Sequence, residues 1–341
     1  MKLAIKSLTL STISLSLMTI SAAASDIDGL SANVGLTNNY LWRGLEQTDG
    51  QAAISGGIDY ESDSGFYLGT WVSNANWAEG MTYELDVYGG YTGEIENLTY
   101  DVGFVHYAYP DSTDDVDFTE LNASISFSIF TFGYAILANA DGVDFGDDQS
   151  TLSLGASGNA GDLDWSIGLF HGSSEDATNL GGAAGASLDE TRIHAGVSTG
   201  LSDCLSVSAG IINTSYNLLP SDRLEVYVGA ATSVSGIDVS ATAYFNESDN
   251  YTGDTYYELG ASKSFDVAEN VTGTLAVTYG NWNKDPLGGA VSDVDFLSVS
   301  GTLNIDLGDN VGASIGVTHS SSDTALTDDE TVVGTSLTFG F

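Results

Sequence analysis

A single cysteine, Cys204, leaves no partner for an internal disulfide and no set of thiolates for a metal. Only three prolines occur, Pro110, Pro220 and Pro286. Each falls in or beside a connection between the alternating segments described below, where a missing N–H costs nothing. Positive charge is scarce: 7 Lys and Arg stand against 47 Asp and Glu, a formal net charge of −40. That balance excludes nucleic acid and acidic membrane surfaces as direct electrostatic partners. After the first two dozen residues no apolar run reaches about 18 residues, so there is no transmembrane helix. Helical periodicity of useful length is missing as well. Acidity on this scale would suit a disordered chain, but 10% aromatic residues and many β-branched ones argue for a folded one.

The amino terminus carries Lys2 and Lys6, then an apolar and small-hydroxyl stretch from about Leu8 to Ile20, then Ala22-Ala23-Ala24. This order reads as a secretory signal peptide, residues 1–24, removed after export. The mature chain, 25–341, is expected to be one domain. It keeps every acid and only Arg43, Arg192, Arg223, Lys263 and Lys284 as basic residues.

What fills the mature chain is period-two alternation. One parity carries Leu98, Tyr100, Val102 and Phe104; Leu163, Trp165, Ile167 and Leu169; Leu224, Val226 and Val228; Val311, Ala313, Ile315 and Val317. The other parity carries Gly, Ser, Thr, Asp, Glu and Tyr. Strands are expected near 30–42, 50–60, 65–73, 81–92, 97–109, 116–128, 129–138, 149–157, 162–172, 189–200, 204–216, 222–233, 236–246, 254–266, 270–282, 292–306, 310–320 and 330–341. The class is all-β, an antiparallel transmembrane barrel of eighteen strands, or of sixteen if 50–60 with 65–73 or 129–138 with 149–157 is not a real pair. Short and long connections alternate, as periplasmic turns and outer loops do. A soluble β-sandwich also alternates, but its inner faces would hold more Leu, Ile and Phe than the Ala- and Gly-rich faces here.

The last segment places Val333, Thr335, Leu337, Phe339 and Phe341 on one parity. A closing strand that ends in Phe resembles the signal read by the barrel-assembly machinery of bacterial outer membranes, and Phe341 is assigned that role. Asn39-Tyr40-Leu41-Trp42-Arg43-Gly44-Leu45-Glu46-Gln47-Thr48-Asp49-Gly50 resembles the opening motif of the TorF-type porin family. Ile54–Tyr60, Gly65–Asn74, Tyr83–Tyr91 and Tyr107–Pro110 look similar to it too. The likeness covers roughly residues 30–110, with alternation alone beyond. It implies an outer-membrane barrel that conducts solutes.

On the polar parity lie Asp59, Glu84, Asp86, Asp101, Glu120, Glu190, Glu225, Asp238 and Glu258, with Arg43, Arg192, His194 and Arg223 against them. All of these side chains except Arg223 form the expected pore lining. A water-filled lumen lined this way should favour cations. Enzymatic use of His194 would need a nucleophile within reach and an orienting acid. His106, His171 and His319 fall on the apolar parity near outer strand ends, where they read as belt residues. No cofactor is expected, apart from weak Ca²⁺ or Mg²⁺ at acidic outer loops that include Asp111, Asp141, Asp144 and Asp329. The expected function is passive diffusion of small hydrophilic solutes, with cations favoured, among outer-membrane lipid and lipopolysaccharide. The alternative is a non-conducting barrel whose loops serve surface interaction or adhesion. The longest connection, about Gly172 to Leu188, is expected to narrow the lumen.

Overall fold

The computed structural model describes residues 27–42, 45–46, 48, 51–76, 80–113, 117–139, 149–174, 188–217, 222–246, 255–283, 294–308, 310–322 and 329–340. The signal peptide, Arg43, Phe341 and residues 175–187 of the longest connection lie outside them. No helix among the described residues is long and apolar enough to cross a membrane.

Strand β1 (Leu30–Thr37) is followed by a small ladder of β2 (Leu41–Trp42) with β3 (Leu45–Glu46). Then come β4 (Ala53–Glu61), β5 (Phe66–Asn74), β6 (Tyr83–Ile95), β7 (Leu98–Ala108), β8 (Phe118–Phe127) and β9 (Phe130–Asn139). They continue as β10 (Ser150–Ala160), β11 (Leu163–Ser174), β12 (Leu188–Ser202), β13 (Leu205–Tyr216), β14 (Arg223–Val234) and β15 (Ile237–Asn246). The last are β16 (Thr255–Ala268), β17 (Val271–Trp282), β18 (Val294–Gly308), β19 (Val311–Ser322) and β20 (Glu330–Gly340).

Apart from β2 and β3, all of these make one 18-stranded antiparallel sheet. It closes on itself. β1 pairs with β4 on one side, Leu30 opposite Tyr60, and with β20 on the other, Ser31 opposite Gly340. No edge is left with unpaired N–H and C=O groups, which is the condition for a sheet in lipid. Both pairs on which the count depended are present, β4 with β5 and β9 with β10.

The first strand is shorter than the alternation suggests. It stops at Thr37 rather than running to Trp42. The reason is local. The Thr37 hydroxyl donates to the Asn39 carbonyl at 2.9 Å, and the Asn38 side chain donates to the Thr331 carbonyl at 2.7 Å, ending the ladder with β20. Asn and Thr side chains compete with backbone pairing in this way.

Which parity faces inward follows from curvature. Side chains on the concave face of a closed sheet converge, so those on next-nearest strands can touch. Tyr67 on β5 donates to Asp101 on β7 at 3.2 Å, and Tyr88 on β6 donates to Asp59 on β4. The parity holding Tyr67, Tyr88, Asp59 and Asp101 is therefore the lumen. The opposite parity carries the large apolar residues, such as Ile54 at 62%, Val102 at 57% and Leu275 at 56% exposure. A belt of that kind is far larger than a water-facing surface tolerates, and hydrocarbon is the medium that covers it. The short turns lie at one barrel end, among them Ser235–Gly236, whose φ angles of 56° and 72° match the two-residue turn that suits twisted strands.

Inner glycines make room for inner tyrosines. A Cβ on Gly103 would stand 2.5 Å from the Tyr67 hydroxyl. Gly103→Ala should destabilise the barrel by about 1–3 kcal/mol through overpacking. With Tyr67→Phe already in place, the same change should cost clearly less, since the obstructing oxygen is gone. Denaturant unfolding followed by tryptophan fluorescence measures both, and strictly additive costs would rule the contact out.

Candidate pore lining

The strands that descend from the long-connection end bring their charges in early. Glu84 and Asp86 on β6, Glu120 on β8, Glu190 and Arg192 on β12, Glu225 on β14 and Glu258 on β16 all fall near the start of their strands. Strand order thus gathers them in the outer half of the bore. Asp59, Asp101 and Asp238 lie nearer the short-turn ends.

Two arcs result. On β4 to β8 the charges are all acidic. Glu84 is 8% exposed and accepts from the Tyr109 hydroxyl at 2.9 Å. Asp86 sits in register between Trp71 and Tyr107, and one of its carboxylate oxygens is buried with no hydrogen bond. Glu120 stands between Val105 and Leu137. Among the described residues no Arg or Lys forms an ion pair with this arc.

The second arc holds both described lumen arginines. Arg192 donates to Glu190 at 2.6 Å and Arg223 to Glu225 at 2.7 Å, each pair two residues apart on one strand and so on one face. Arg192 lies over the Phe170 ring at 5.8 Å and Arg223 over Trp282 at 5.4 Å. Arg223 also donates to Asn246 at 2.9 Å. In the closed ring of 18 strands β14 comes eight strands after β6, so the arcs nearly face each other.

Alternation alone does not reveal the inner aromatics. Tyr227, Tyr244, Tyr256 and Trp282 stand in direct register across β14 to β17. Their ring centroids are 5.8, 5.6 and 4.5 Å apart in sequence along the row. The Tyr256 hydroxyl donates to Glu258 at 2.8 Å. Across the bore, Tyr107 stacks on Phe118 at 4.5 Å. These bulky side chains line the outer half, whereas the wall toward the short turns carries Ser, Thr, Gly and Ala, as at Ser206, Ala231, Ser240, Gly260, Ser262 and Thr278, with Asp238 among them. The available signal was bulky residues of polar parity gathered at the long-connection ends. Inner Asp164, Asp266 and Asp306 also belong to the polar parity.

His194 covers Gly168 on the lumen side. Among the described residues it has no hydrogen bond to a hydroxyl or a carboxylate. On the outer face His106, His171 and His319 each pair through Nδ1 with Thr119, Thr191 and Thr331 at 2.9, 2.9 and 2.8 Å. Of the acidic connections, Asp111 and Asp329 are described, whereas Asp141 and Asp144 lie outside the described residues. The Asp111 carboxylate accepts from the Thr82 hydroxyl and N–H, and these bonds hold it below the usual carboxylate range. Among the described residues no group of three His, Cys, Asp or Glu side chains converges on a point that could hold a metal.

Solved structures share this architecture. Pseudomonas aeruginosa OpdK, crystallised with vanillate, is 10% identical, with a TM-score of 0.58 over 92% of this chain and 99% of that one. OccK2 (OpdF) from the same organism, in complex with glucuronate, is 13% identical, with a TM-score of 0.56 over 91% and 96%. OccK9 (OpdG), also from Pseudomonas aeruginosa, is 12% identical, with a TM-score of 0.55 over 92% and 98%. At these identities the likeness is one of fold. No curated protein matches the sequence. A family model does, over residues 21–217, under the description "Bacterial protein of unknown function (Gcw_chp)". The TorF-type name remains a resemblance carried by the opening motif. The chain belongs to the Gcw_chp family.

Proposed function

We propose that this barrel is an outer-membrane porin for passive diffusion of small hydrophilic solutes, with cations favoured. The observation that carries the reading is a closed ring of 18 strands with an apolar outside and a charged inside. Barrels of 16–18 strands leave an aqueous channel. The OpdK and OccK2 structures hold vanillate and glucuronate, small polar molecules of the class proposed. For this chain the charge balance points away from anions. Both described lumen arginines are engaged by carboxylates, while Glu84, Asp86, Asp59 and Asp101 have no such partner among the described residues. Carboxylates in a low-dielectric wall concentrate cations. The reading needs no catalysis and no cofactor; weak Ca²⁺ or Mg²⁺ at the acidic outer loops belongs to the same proposal.

Reconstitution in a planar bilayer under a KCl gradient tests it. The reversal potential should carry the sign of cation preference, and the preference should weaken as salt screens the wall over about 3 Å at 1 M. Anion preference would overturn the electrostatic argument. A closed bilayer would favour the non-conducting surface module instead.

A further inference from the structure

Inner glycines lay rings flat on the second arc. A Cβ on Gly210 would stand 2.5 Å from both Cε1 and the hydroxyl of Tyr227, and one on Gly196 would stand 2.5 Å from that hydroxyl. The Tyr227 ring therefore rests on β13 and points across to β12. At the other end a Cβ on Gly280 would run into the Phe296 ring, so this ring rests on β17. Tyr244 joins Tyr227 to Tyr256. Tyr256 in turn lies between Trp282 and Phe296, with centroids 4.5 and 6.3 Å away and planes 26° and 18° from its own. A ring laid on the wall turns one face to the backbone and the other to the bore. Tyr227, Tyr244, Trp282 and Phe296 stay partly exposed, and Tyr256 is buried among them at 4%. With strands about 4.8 Å apart, the rings in register from β14 to β17 cover about 14 Å of wall.

Polar groups border this strip. Toward the long connections Glu225 and Asn246 stand in register, and Arg223 bonds to both. That edge is buried and its charges are paired. Toward the short turns Thr242 and Glu258 stand in register and partly exposed. The Glu258 carboxylate accepts from the Tyr256 hydroxyl at 2.8 Å and keeps further lone pairs. An anion would meet Glu258 and no unpaired lumen arginine among the described residues. A cation finds carboxylates without ion pairs on the opposite arc. The strip itself suits a neutral solute with an apolar ring face and hydroxyls along its edge. A pyranose has that form. Its C–H bonds fit the negative face of an aromatic ring, and its hydroxyls can donate to Glu258 and exchange bonds with Thr242.

We propose that the strip from Tyr227 to Phe296 binds neutral sugars, which stack on its open rings and hydrogen-bond to Glu258 and Thr242 along one edge. The inference rests on the porin reading and deepens it, with the acidic arc drawing cations and the aromatic arc holding carbohydrate. A row several rings long suits a short oligosaccharide better than a single sugar.

Two measurements on the assembled barrel test this. Titration calorimetry in detergent uses maltotriose, with sorbitol as an open-chain polyol and phenylalanine as a ring without sugar hydroxyls. Bilayer recording then asks whether maltotriose interrupts the single-channel current. Maltotriose should bind and interrupt it, whereas sorbitol and phenylalanine should not bind. Tyr244→Leu, which keeps bulk but removes a ring face, should raise the Kd for maltotriose about fivefold. Trp282→Leu serves if that variant fails to assemble, as judged by heat-modifiable migration on gels. Equal binding of sorbitol or phenylalanine, or an unchanged Kd in the variants, would overturn the inference. So would a conducting channel that maltotriose neither binds nor interrupts, and the porin reading would then stand. Maltotriose binding to a barrel that never conducts would support the sugar site and overturn the porin reading. Neither binding nor conductance would overturn both.

Discussion

Arginine at Val228 should destabilise the barrel by about 2–4 kcal/mol, the cost of a charge on a lipid-facing strand at mid-depth. Val228 is at the middle of β14, 48% exposed in the isolated chain, with Ala209 and Ala243 as its cross-strand neighbours. No acid on that face is in register with it. Arginine at Thr242, one strand away on the lumen parity, meets water and has Glu258 directly opposite. It should cost no more than about 0.5 kcal/mol. Urea unfolding from phospholipid vesicles compares the two. Equal tolerance would overturn the division of the wall into a lipid face and a lumen face, and a reversed order would mean that the two are assigned the wrong way round.

Loss of Arg223 should have the next largest effect. Its side chain is 14% exposed and that of Glu225 9%. Removing one member of a buried pair leaves the other's charge uncompensated, at about 3–5 kcal/mol in a dry interior. The lumen is wet, so Arg223→Ala is expected at about 2–3 kcal/mol, below that range. Glu225→Gln should cost only about 1 kcal/mol, because Arg223 keeps Asn246 and the Trp282 ring. The same urea experiment gives both values. Arg223→Ala should also strengthen cation preference in the bilayer, since an acid is freed. A neutral Arg223→Ala would show that the pair contributes nothing to the fold.

The strands were legible because a barrel wall asks one simple thing of each residue, that its parity suit lipid or water. Leu98 to Phe104 and Leu224 to Val228 show this without any knowledge of partners. The end of β1 was not legible, because Tyr40 and Trp42 continue the apolar parity of Val34 and Leu36. What stops the strand is the hydrogen bonding of Thr37 and Asn38, which depends on β20 at the other end of the sequence. The arginine pairs were half legible: Glu190 and Arg192 share a face at any register, and so do Arg223 and Glu225. The Tyr67–Asp101 and Tyr88–Asp59 bonds were not, because they join next-nearest strands and exist only once the sheet is curved. For the same reason the arcs around the bore emerge from closure rather than from spacing along the chain.

The seam between β1 and β20 has a consequence for biosynthesis. Asn38 reaches Thr331, 293 residues away, so the final ring-closing contacts have the longest loop to close. A product that stops before β20 leaves β19 and β1 each with an open flank, and such flanks recruit other chains. Premature termination therefore does not yield a smaller channel. It yields an adhesive sheet, which makes completeness of translation a checkpoint enforced by geometry itself.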